Sequence, residues 1–480
     1  MKISELFQLE VSQYELDFVD INVDHDLPLF LDSYFIRHFD TPFGRESSRD
    51  INSFINFFFS LLKSDMSDDA RYLFSFLGEP NETCLGLSVG RPQGRGVGPE
   101  DTEKIFEAII QSSAFQEGVL EHLEDLRIFV PGIDKDKVSD MTTNLIRGQL
   151  IKYTQNQCKL WGIPLQENVP SGFIWDRVKL EWSEFHTDML LVKGKKILLV
   201  PKSIVTYSKE YSSQQYSQHF VLHFLQRENL RTNSHLVRVR KKSKEKYVTK
   251  KSIKEALGTF DKEFLVKFTV KHPEVFKEFK KQSTRFLHSL INEELTEQQA
   301  LVDIISYLKT KLISIPPGPT NATEYHRTAM GILELLFYPS ITSPTIEEEI
   351  HDGRKRIDIV FENSAEKGFF FRLPTVHQVP SSLIMVECKN YSRDVANPEL
   401  DQMAGRFGPN RGKFGLILCR TIDNMDTFLA RCNDTCKDDR GYIIPIVDTD
   451  LLHLLDGFLV NRESVVESFL NERFKKIIIN

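Results

Sequence analysis

The chain has 480 residues, of which 41% are hydrophobic and 27% charged, an ordinary composition for a soluble globular protein. This length predicts about two or three domains. No apolar stretch reaches the roughly 18 residues that a membrane-spanning helix needs, and the first residues lack the apolar segment of a signal peptide. The net charge of −7 argues against a protein that is basic throughout, although it is compatible with a local basic patch.

Six scattered cysteines indicate a reducing compartment, so we expect a cytoplasmic protein without a membrane partner. Cys432 and Cys436 are four residues apart, but no second pair of ligands accompanies them, and the spacing therefore predicts no zinc site.

Residues 1–170 show mainly helical apolar spacing and are predicted to form a domain that recognises a target or a protein partner. The glycine-rich segment 90–100 runs into one of these helices. It matches neither a P-loop nor a dinucleotide-binding motif. Two interpretations stay open: an anion site at a helix N-terminus, or a tight structural loop.

Residues 171–260 are predicted to be β-rich, with a hairpin over 187–202. Within them, the stretch 238–254 contains nine lysines and arginines against one glutamate. Such a stretch can bind phosphates on an otherwise acidic protein, or it can be a solvated connection between domains. The candidate phosphate-binding residues are Arg240, Lys241, Lys242 and Lys244.

Residues 261–314 have helical spacing and are followed by a proline-rich segment, 315–323, with three prolines among four consecutive positions. Prolines cannot continue a helix and favour an extended connector. The sequence therefore predicts a linker at 315–323 and a separate domain over 324–480.

Two short apolar segments of this last domain carry charged residues that a core strand does not normally contain. The segment 356–361 includes Asp358, and the segment 383–391 includes Glu387 and Lys389. Side chains alternate between the faces of a strand, so Glu387 and Lys389 project on the same side. A buried carboxylate and ammonium are costly unless they are paired or used.

These residue types suit metal-dependent hydrolysis of phosphodiesters. Carboxylates are preferred ligands of Mg²⁺, and Asp358 with Glu387 would hold Mg²⁺ or Mn²⁺. Lys389 would orient or deprotonate the attacking water, or stabilise charge on the phosphate. The alternative is a solvated ion pair at a strand end.

The segment from about residue 324 to the C-terminus resembles the PD-(D/E)xK nuclease superfamily, closest to its restriction-endonuclease-like, Mrr-type branch. The resemblance covers about a third of the chain. It implies an α/β fold with an αβββαβ core. The mainly helical region with its β-rich insert, predicted from the sequence pattern, precedes this core. The implied elements are a helix at 324–337, strands at 347–350, 356–361 and 383–388, a helix at 398–407 and a strand at 415–419.

The resemblance implies that Asp358, Glu387 and Lys389 are the catalytic residues. Many members add a glutamine on the following helix, and Gln402 matches it. The family's proline before the aspartate is replaced by Ile357.

Further candidates surround this motif. Glu334 or Glu349 could supply another carboxylate to the metal, although a helix-surface glutamate is usually solvated. His326 could act as an acid, or it could be structural. The long loop 362–382 could contact a substrate or a partner.

Two basic clusters near the motif could bind phosphates, because guanidinium groups match phosphate geometry, or they could be ordinary exposed charges. The first lies next to Gly353 and the second is the loop 405–413. Their residues are Arg354, Lys355 and Arg356, and Arg406, Arg411 and Lys413.

The resulting hypothesis is a Mg²⁺-dependent endonuclease acting on DNA. The resemblance implies a prokaryotic restriction or anti-phage defence effector. Two alternatives remain: a catalytically inactive nuclease-fold module that binds nucleic acid or protein, and an RNA-cutting or repair nuclease. A protein partner bound through residues 1–320 and a second copy of the chain are further partners that the sequence leaves open.

Overall fold

The computed structural model describes residues 1–86, 99–207, 211–296, 300–350 and 355–479. Side chains are described throughout these ranges except at positions 99, 286, 347–350, 355–357 and 462–463. Residues 87–98, which include most of the glycine-rich segment 90–100, lie outside the described residues.

The N-terminal region is mainly helical, as the apolar spacing predicts. The longest of its first helices begins after Thr41, whose hydroxyl accepts the backbone N–H of Gly44, and it buries Phe54 and Phe58 on its inner face. The elements are α1 (Ile3–Leu6), β1 (Phe30–Leu31), α2 (Ser33–His38), α3 (Pro42–Lys63), α4 (Ser67–Phe74), α5 (Pro99–Gln111), α6 (Ser113–Gln116), α7 (Asp125–Phe129), α8 (Lys135–Leu145) and α9 (Arg147–Trp161).

Short strands follow, as predicted. Strands β5 and β6 form the predicted hairpin, with Leu190 opposite Ile197. Lys193 and Gly194 both have positive φ, which suits a two-residue hairpin turn. The strands are β2 (Gln166–Pro170), β3 (Ile174–Asp176), β4 (Glu181–Ser183), β5 (His186–Val192), β6 (Lys195–Ile197) and β7 (Val205–Thr206), of which β7 pairs with β1.

The β-rich character ends near Thr206, earlier than the predicted boundary at 260. Aromatic packing favours helices here, since the Tyr216 ring lies against those of Phe276 and Phe279. The basic stretch begins in a two-residue hairpin. The elements are α10 (Ser213–Gln215), a π-helix (Tyr216–Val221), α11 (Leu222–Arg231), β8 (Arg238–Val239), β9 (Lys246–Tyr247), α12 (Lys250–Leu257), α13 (Lys262–Lys271), α14 (Pro273–Ser283), α15 (Asn292–Leu295) and α16 (Leu301–Ser314).

The C-terminal region contains a five-stranded mixed sheet in the order β10-β11-β12-β13-β14. The first three strands are antiparallel, and the last three are parallel. The elements are α17 (Ala322–Phe337), β10 (Ile341–Ile350), β11 (Lys355–Asn363), α18 (Gly368–Thr375), β12 (Leu383–Lys389), α19 (Asn397–Ala404), β13 (Phe414–Cys419), α20 (Met425–Lys437), β14 (Tyr442–Val447) and α21 (Asp448–Ile478).

Each element predicted in this region is present within a few residues, apart from strand β10, which begins at Ile341. Helix α18 occupies the segment predicted as a long loop, because Phe369, Phe370 and Leu373 are buried on one of its faces. Strand β14 extends the sheet beyond the predicted core, and helix α20 and the kinked helix α21 are further additions to that core.

The proline-rich segment is held against the C-terminal sheet rather than free. The side-chain amide of Asn390 donates to the carbonyl oxygens of Pro316 and Gly318 at 3.1 and 2.9 Å. The two flanking regions also share one hydrophobic core, and Gln157 of α9 donates to the carbonyl of Pro344 at 3.1 Å. The segment 315–323 therefore joins packed parts of one body. Among the described residues, no helix is long and apolar enough to cross a membrane.

Candidate active site

Asp358 and Glu387 face each other across neighbouring strands. The last paired residues of β11 and β12 are Ile359 and Val386, so the next position on each strand is Asp358 and Glu387. Directly opposite residues of an antiparallel pair project on the same side of the sheet. The two carboxylates therefore share one face at the end of β12.

The carboxylate of Asp358 also holds the end of strand β12. Its Oδ2 accepts the backbone N–H of Cys388 at 2.9 Å, just beyond the last residue pair of the ladder. A side chain thus satisfies a backbone donor where the two strands separate. This bond fixes Asp358 close to Glu387.

Lys389 lies on the same face of β12 as Glu387, as strand alternation predicts. Its ammonium group donates to Glu387 Oε1 at 2.5 Å and to Gln402 Oε1 at 3.2 Å. Gln402 is carried by α19, whose start is fixed by Glu399 accepting the backbone N–H of Ala396 at 2.8 Å. The structure therefore brings together four side chains that the sequence predicts as catalytic.

Arg406 is the residue whose position the sequence prediction missed. It was predicted in an exposed basic loop, but its side chain is only 4% exposed and pairs with Glu387 Oε2. Burial lowers the pKa of Arg406, and the negative charge of Asp358 opposes that shift. Arg406 follows Gln402 by four residues, and this helical spacing is the sequence signal that could have placed it here.

The backbone of the loop after α19 holds Arg406 in place. Arg411, the second basic residue predicted here, donates from Nε to the carbonyl oxygen of Arg406 at 3.0 Å. Gly412 has a φ of +109°, and a Cβ at this position would come within 2.8 Å of the carbonyl of Pro380. A glycine is therefore required for the close approach that folds the loop.

The formal charges of the site cancel. Asp358 and Glu387 contribute two negative charges, and Lys389 and Arg406 contribute two positive ones. Within the described part of the chain, no group of three or more His, Cys, Asp or Glu side chains is arranged to hold a metal ion. Any cation held here would have two carboxylate ligands at most from the described side chains.

Glu334 is placed in a different cluster. Its Oε1 lies 3.2 Å from Lys202 Nζ, and both side chains are at most 1% exposed. Asp17 belongs to the same cluster and accepts the backbone N–H of Ser343 at 2.9 Å. Ser343 lies near the β11 end at Glu362, four residues or roughly 13 Å from Asp358. The structure therefore does not bring Glu334 to the two carboxylates.

The cluster around Glu334 carries shifted pKa values. Burial raises the pKa of Glu334 to about 8, although Lys202 acts in the opposite direction. Burial also raises the pKa of Asp17, which accepts a hydrogen bond from the Tyr153 hydroxyl at 2.5 Å. This ion cluster joins the N-terminal region to the C-terminal sheet.

The remaining predicted residues fall into three groups. The ring of His326 contacts the carbonyl oxygen of Cys388 at 3.1 Å, which supports a structural role for it. Arg354 lies outside the described residues, and the side chains of Glu349, Lys355 and Arg356 are not among those described. The basic hairpin residues are exposed, and they are Arg240, Lys241, Lys242 and Lys244.

The basic hairpin is anchored by its own small core of Leu222, Val248 and Ile253. At its base, Lys246 donates to the side-chain oxygen of Asn233 at 2.8 Å. Near its tip, Arg240 lies 3.6 Å from Glu245, its nearest acidic neighbour. The hairpin therefore presents its charges to solvent from an ordered base.

Comparison with known proteins gives one match. Residues 8–212 match a family model described as a domain of unknown function (DUF8370). No curated protein gives a significant match, and neither does any solved structure. The match lies within the region before the five-stranded sheet.

Proposed function

We propose that the chain is a metal-dependent endonuclease that hydrolyses phosphodiester bonds of DNA. The observation that carries the proposal is the meeting of Asp358, Glu387, Lys389 and Gln402 at the ends of two strands and on one helix. Strand alternation supports Glu387 and Lys389, strand register adds Asp358, and helix α19 adds Gln402.

The proposed fold of this domain is a restriction-endonuclease-like core. Its order would be α17, β10, β11, β12, α19 and β13, which matches the αβββαβ order of that family. Helix α18 would be an insertion between the second and third strands. The remaining elements, from α20 onward, would extend the core.

Asp358 and Glu387 suit a hard divalent cation such as Mg²⁺ or Mn²⁺, which commonly takes only one or two carboxylates from the protein. The Oε2 atom of Glu387 is buried without a hydrogen-bond partner of good geometry, although Arg406 is its ionic partner. Bound there, the cation would polarise the phosphate and lower the pKa of the attacking water.

Lys389 would act on the reacting groups themselves. Two acceptors hold its ammonium group, at 2.5 Å from Glu387 and 3.2 Å from Gln402, and a third donor proton remains for a water or a phosphate oxygen. Its positive charge would stabilise the charge that develops on phosphorus. Gln402 would keep the ammonium group of Lys389 oriented towards the reacting groups.

The exposed basic hairpin would supply affinity for the DNA backbone. Phosphate contacts through lysine and arginine carry little sequence information, so this surface would position the duplex rather than select a sequence. A role in restriction or anti-phage defence stays a prediction from the family resemblance.

A second candidate is an inactive nuclease-fold module that binds nucleic acid or protein. The observation that favours it is the ion pair between Arg406 and Glu387, because it neutralises a carboxylate that the metal needs. In the first candidate, a divalent cation displaces the guanidinium group of Arg406 from Glu387. In the second candidate, the ion pair stays intact.

Purified protein incubated with plasmid, linear DNA and RNA, with and without Mg²⁺, tests the proposal. Asp358→Asn removes the charge but keeps an oxygen that can accept the N–H of Cys388, so it should fold and fail to cut. Asp438→Asn, at an exposed turn, is the matched control and should cut normally. Cutting by the Asp358→Asn variant at the normal rate would reject this site.

A further inference from the structure

An open groove of about 930 Å³ lies beside the basic hairpin. Its walls come from the π-helix, α11, the hairpin and α14, and none of the four predicted catalytic residues lines it. The lining residues that matter here are Phe220, Phe224, Arg227, Arg240, Lys246 and Tyr247. Lys241, Lys242 and Lys244 lie outside the groove. The hairpin therefore has two sets of cations, one that faces the groove and one that does not.

One wall of the groove is positively charged. It consists of the π-helix, α11 and the hairpin. Among the described residues that line this wall, the formally charged side chains are all basic, namely Arg227, Arg240 and Lys246. His223 lies in the same positive field, because burial lowers its pKa and the charges of Lys250 and Arg227 lower it further. Several cations along one wall suit a ligand with repeated negative charges.

The opposite wall limits how such a ligand can lie. Helix α14 contributes Glu274 and Glu278, whose carboxylates would repel phosphates. Glu278 accepts a hydrogen bond from the side-chain amide of Gln282 at 2.6 Å, and Glu274 lies 3.4 Å from the ring of His272. The negative groups of the ligand would therefore follow α11 and the hairpin rather than α14.

Aromatic rings also line the groove. The side chains of Phe220, Phe224 and Tyr247 are half-buried, so part of each ring remains open to the groove. Phe224 is held edge-on by Phe268, with ring centroids 5.5 Å apart, and the guanidinium group of Arg240 lies 5.5 Å from the ring centroid of Tyr247. Every nucleobase has a flat face that can stack on such rings, whatever its sequence.

We propose that this groove binds a single-stranded stretch of DNA. Its phosphates contact Arg227, Arg240 and Lys246, and its bases stack on Tyr247 and the phenylalanines. Repeated negative charge combined with flat rings distinguishes nucleic acid from an acidic peptide. The bases of an intact duplex are paired and stacked on each other, so only unpaired bases reach the rings. The choice of DNA rests on the proposed function, and the substrate it implies is a duplex with a single-stranded extension, whose duplex part contacts the cations outside the groove.

Fluorescence anisotropy on the full chain in EDTA tests the proposal without cleavage. A duplex with a single-stranded thymidine extension of about ten nucleotides should bind about tenfold more tightly than a blunt duplex with the same number of phosphates. An extension of abasic units keeps the phosphates but lacks the bases, and it should lose most of that gain. Equal binding of the thymidine and abasic extensions would overturn the proposal.

Two variants locate the contacts, each with a matched control. Tyr247→Leu keeps an apolar side chain but removes the ring, so the advantage of the thymidine extension over the abasic one should shrink by about fivefold or more. Tyr72→Leu, at an exposed tyrosine of α4, should keep that advantage. Arg227→Gln should reduce the slope of log K against log salt by about 0.7, the value for one phosphate of a single strand, whereas Arg49→Gln on the exposed surface of α3 should not.

A base-dependent advantage that survives Tyr247→Leu, or an unchanged slope in Arg227→Gln, would place the strand elsewhere and reject the assignment. The outcome is separate from that of the proposed function. Base-dependent binding without any cleavage would reject the nuclease and keep the groove as a binding site, whereas cleavage that requires Asp358 without base-dependent binding would reject the groove alone.

Discussion

Arg406 and Glu387 form a buried ion pair inside the candidate active site, where Asp358 is the next negative charge. A guanidinium group here neutralises part of the charge that a divalent cation would otherwise neutralise. Because two cations repel each other in a site of low dielectric constant, metal binding and the Arg406–Glu387 pair compete. The metal affinity of this site therefore depends on Arg406, and replacing Arg406 measures that dependence.

Arg406→Met should therefore raise the affinity for Mn²⁺. The methionine occupies a similar volume without charge, which frees Glu387 Oε2 for the cation. We expect a dissociation constant lower by about tenfold, equivalent to about 1.4 kcal/mol, in isothermal titration calorimetry. Arg431→Met removes an arginine of helix α20 that does not pair with Glu387 and should leave the affinity unchanged. An unchanged or weaker affinity of the Arg406→Met variant would refute the competition.

Lys389→Met should separate turnover from metal binding. Lysine is not a ligand of a divalent cation, so Mn²⁺ affinity should be kept, whereas single-turnover cleavage should fall by about 10² to 10⁴, the usual contribution of a positioned acid or base. Lys437→Met, which replaces an exposed lysine of helix α20 in the same C-terminal region, is the control. Loss of metal affinity as severe as that of Glu387→Gln would contradict the role given to Lys389.

The site residues that the sequence predicts follow from local rules of strand structure. Glu387 and Lys389 are two residues apart on one strand, so alternation alone places them on one face. Asp358 needed only the correct pairing of two apolar strands. The four-residue spacing from Gln402 could have placed Arg406 near the site, but its contact with Glu387 also depends on the path of a loop in which Gly412 packs against Pro380.

Local sequence patterns could not predict the buried ion cluster. Lys202 and Glu334 are far apart in the sequence, and a glutamate on a helix is usually solvated. Only the packing of the N-terminal region on the C-terminal sheet buries them. The same packing explains why the proline-rich segment, predicted as an extended linker, is held by Asn390.

Glu334 should make stability depend on pH. Its folded-state pKa of about 8 lies above the ordinary glutamate value of 4.5, so the folded state retains a proton that the unfolded state loses. The stabilising contribution of that proton is complete below about pH 4.5 and is lost as the pH rises through 8. In urea unfolding, Glu334→Gln should remove a downward slope of up to about 1.4 kcal/mol per pH unit.

The exposed Glu324 lies on the same helix, and Glu324→Gln should keep the wild-type pH dependence. If Glu334→Gln kept it as well, burial would not control the protonation of Glu334.

Above about pH 8, where Glu334 is ionised, Lys202→Met should be strongly destabilising by itself, by about 3–5 kcal/mol, because it leaves buried carboxylates without their cation. Adding Glu334→Gln to Lys202→Met should recover part of that loss. Chemical unfolding of the two single variants and the double variant measures the coupling. Strictly additive effects would mean that the two side chains do not interact.

The basic hairpin should provide phosphate contacts. Replacing its four exposed cations by glutamine should weaken DNA binding and flatten its dependence on salt. Each phosphate neutralised contributes about −0.9 to the slope of log K against log salt, so losing four contacts should change the slope by roughly 3 to 4. The replaced residues are Arg240, Lys241, Lys242 and Lys244.

Fluorescence anisotropy on a labelled duplex between low and moderate salt measures both slopes. A matched control removes the same number of charges from exposed lysines on four other helices, namely Lys63, Lys104, Lys159 and Lys437. The control should keep the slope within about one unit, because scattered charges make few simultaneous phosphate contacts. Cleavage at saturating DNA should survive in both variants, since neither set belongs to the candidate active site. An unchanged slope in the hairpin variant would mean that the hairpin is only solvated, and Arg354, Lys355 and Arg356 would then be the next residues to neutralise.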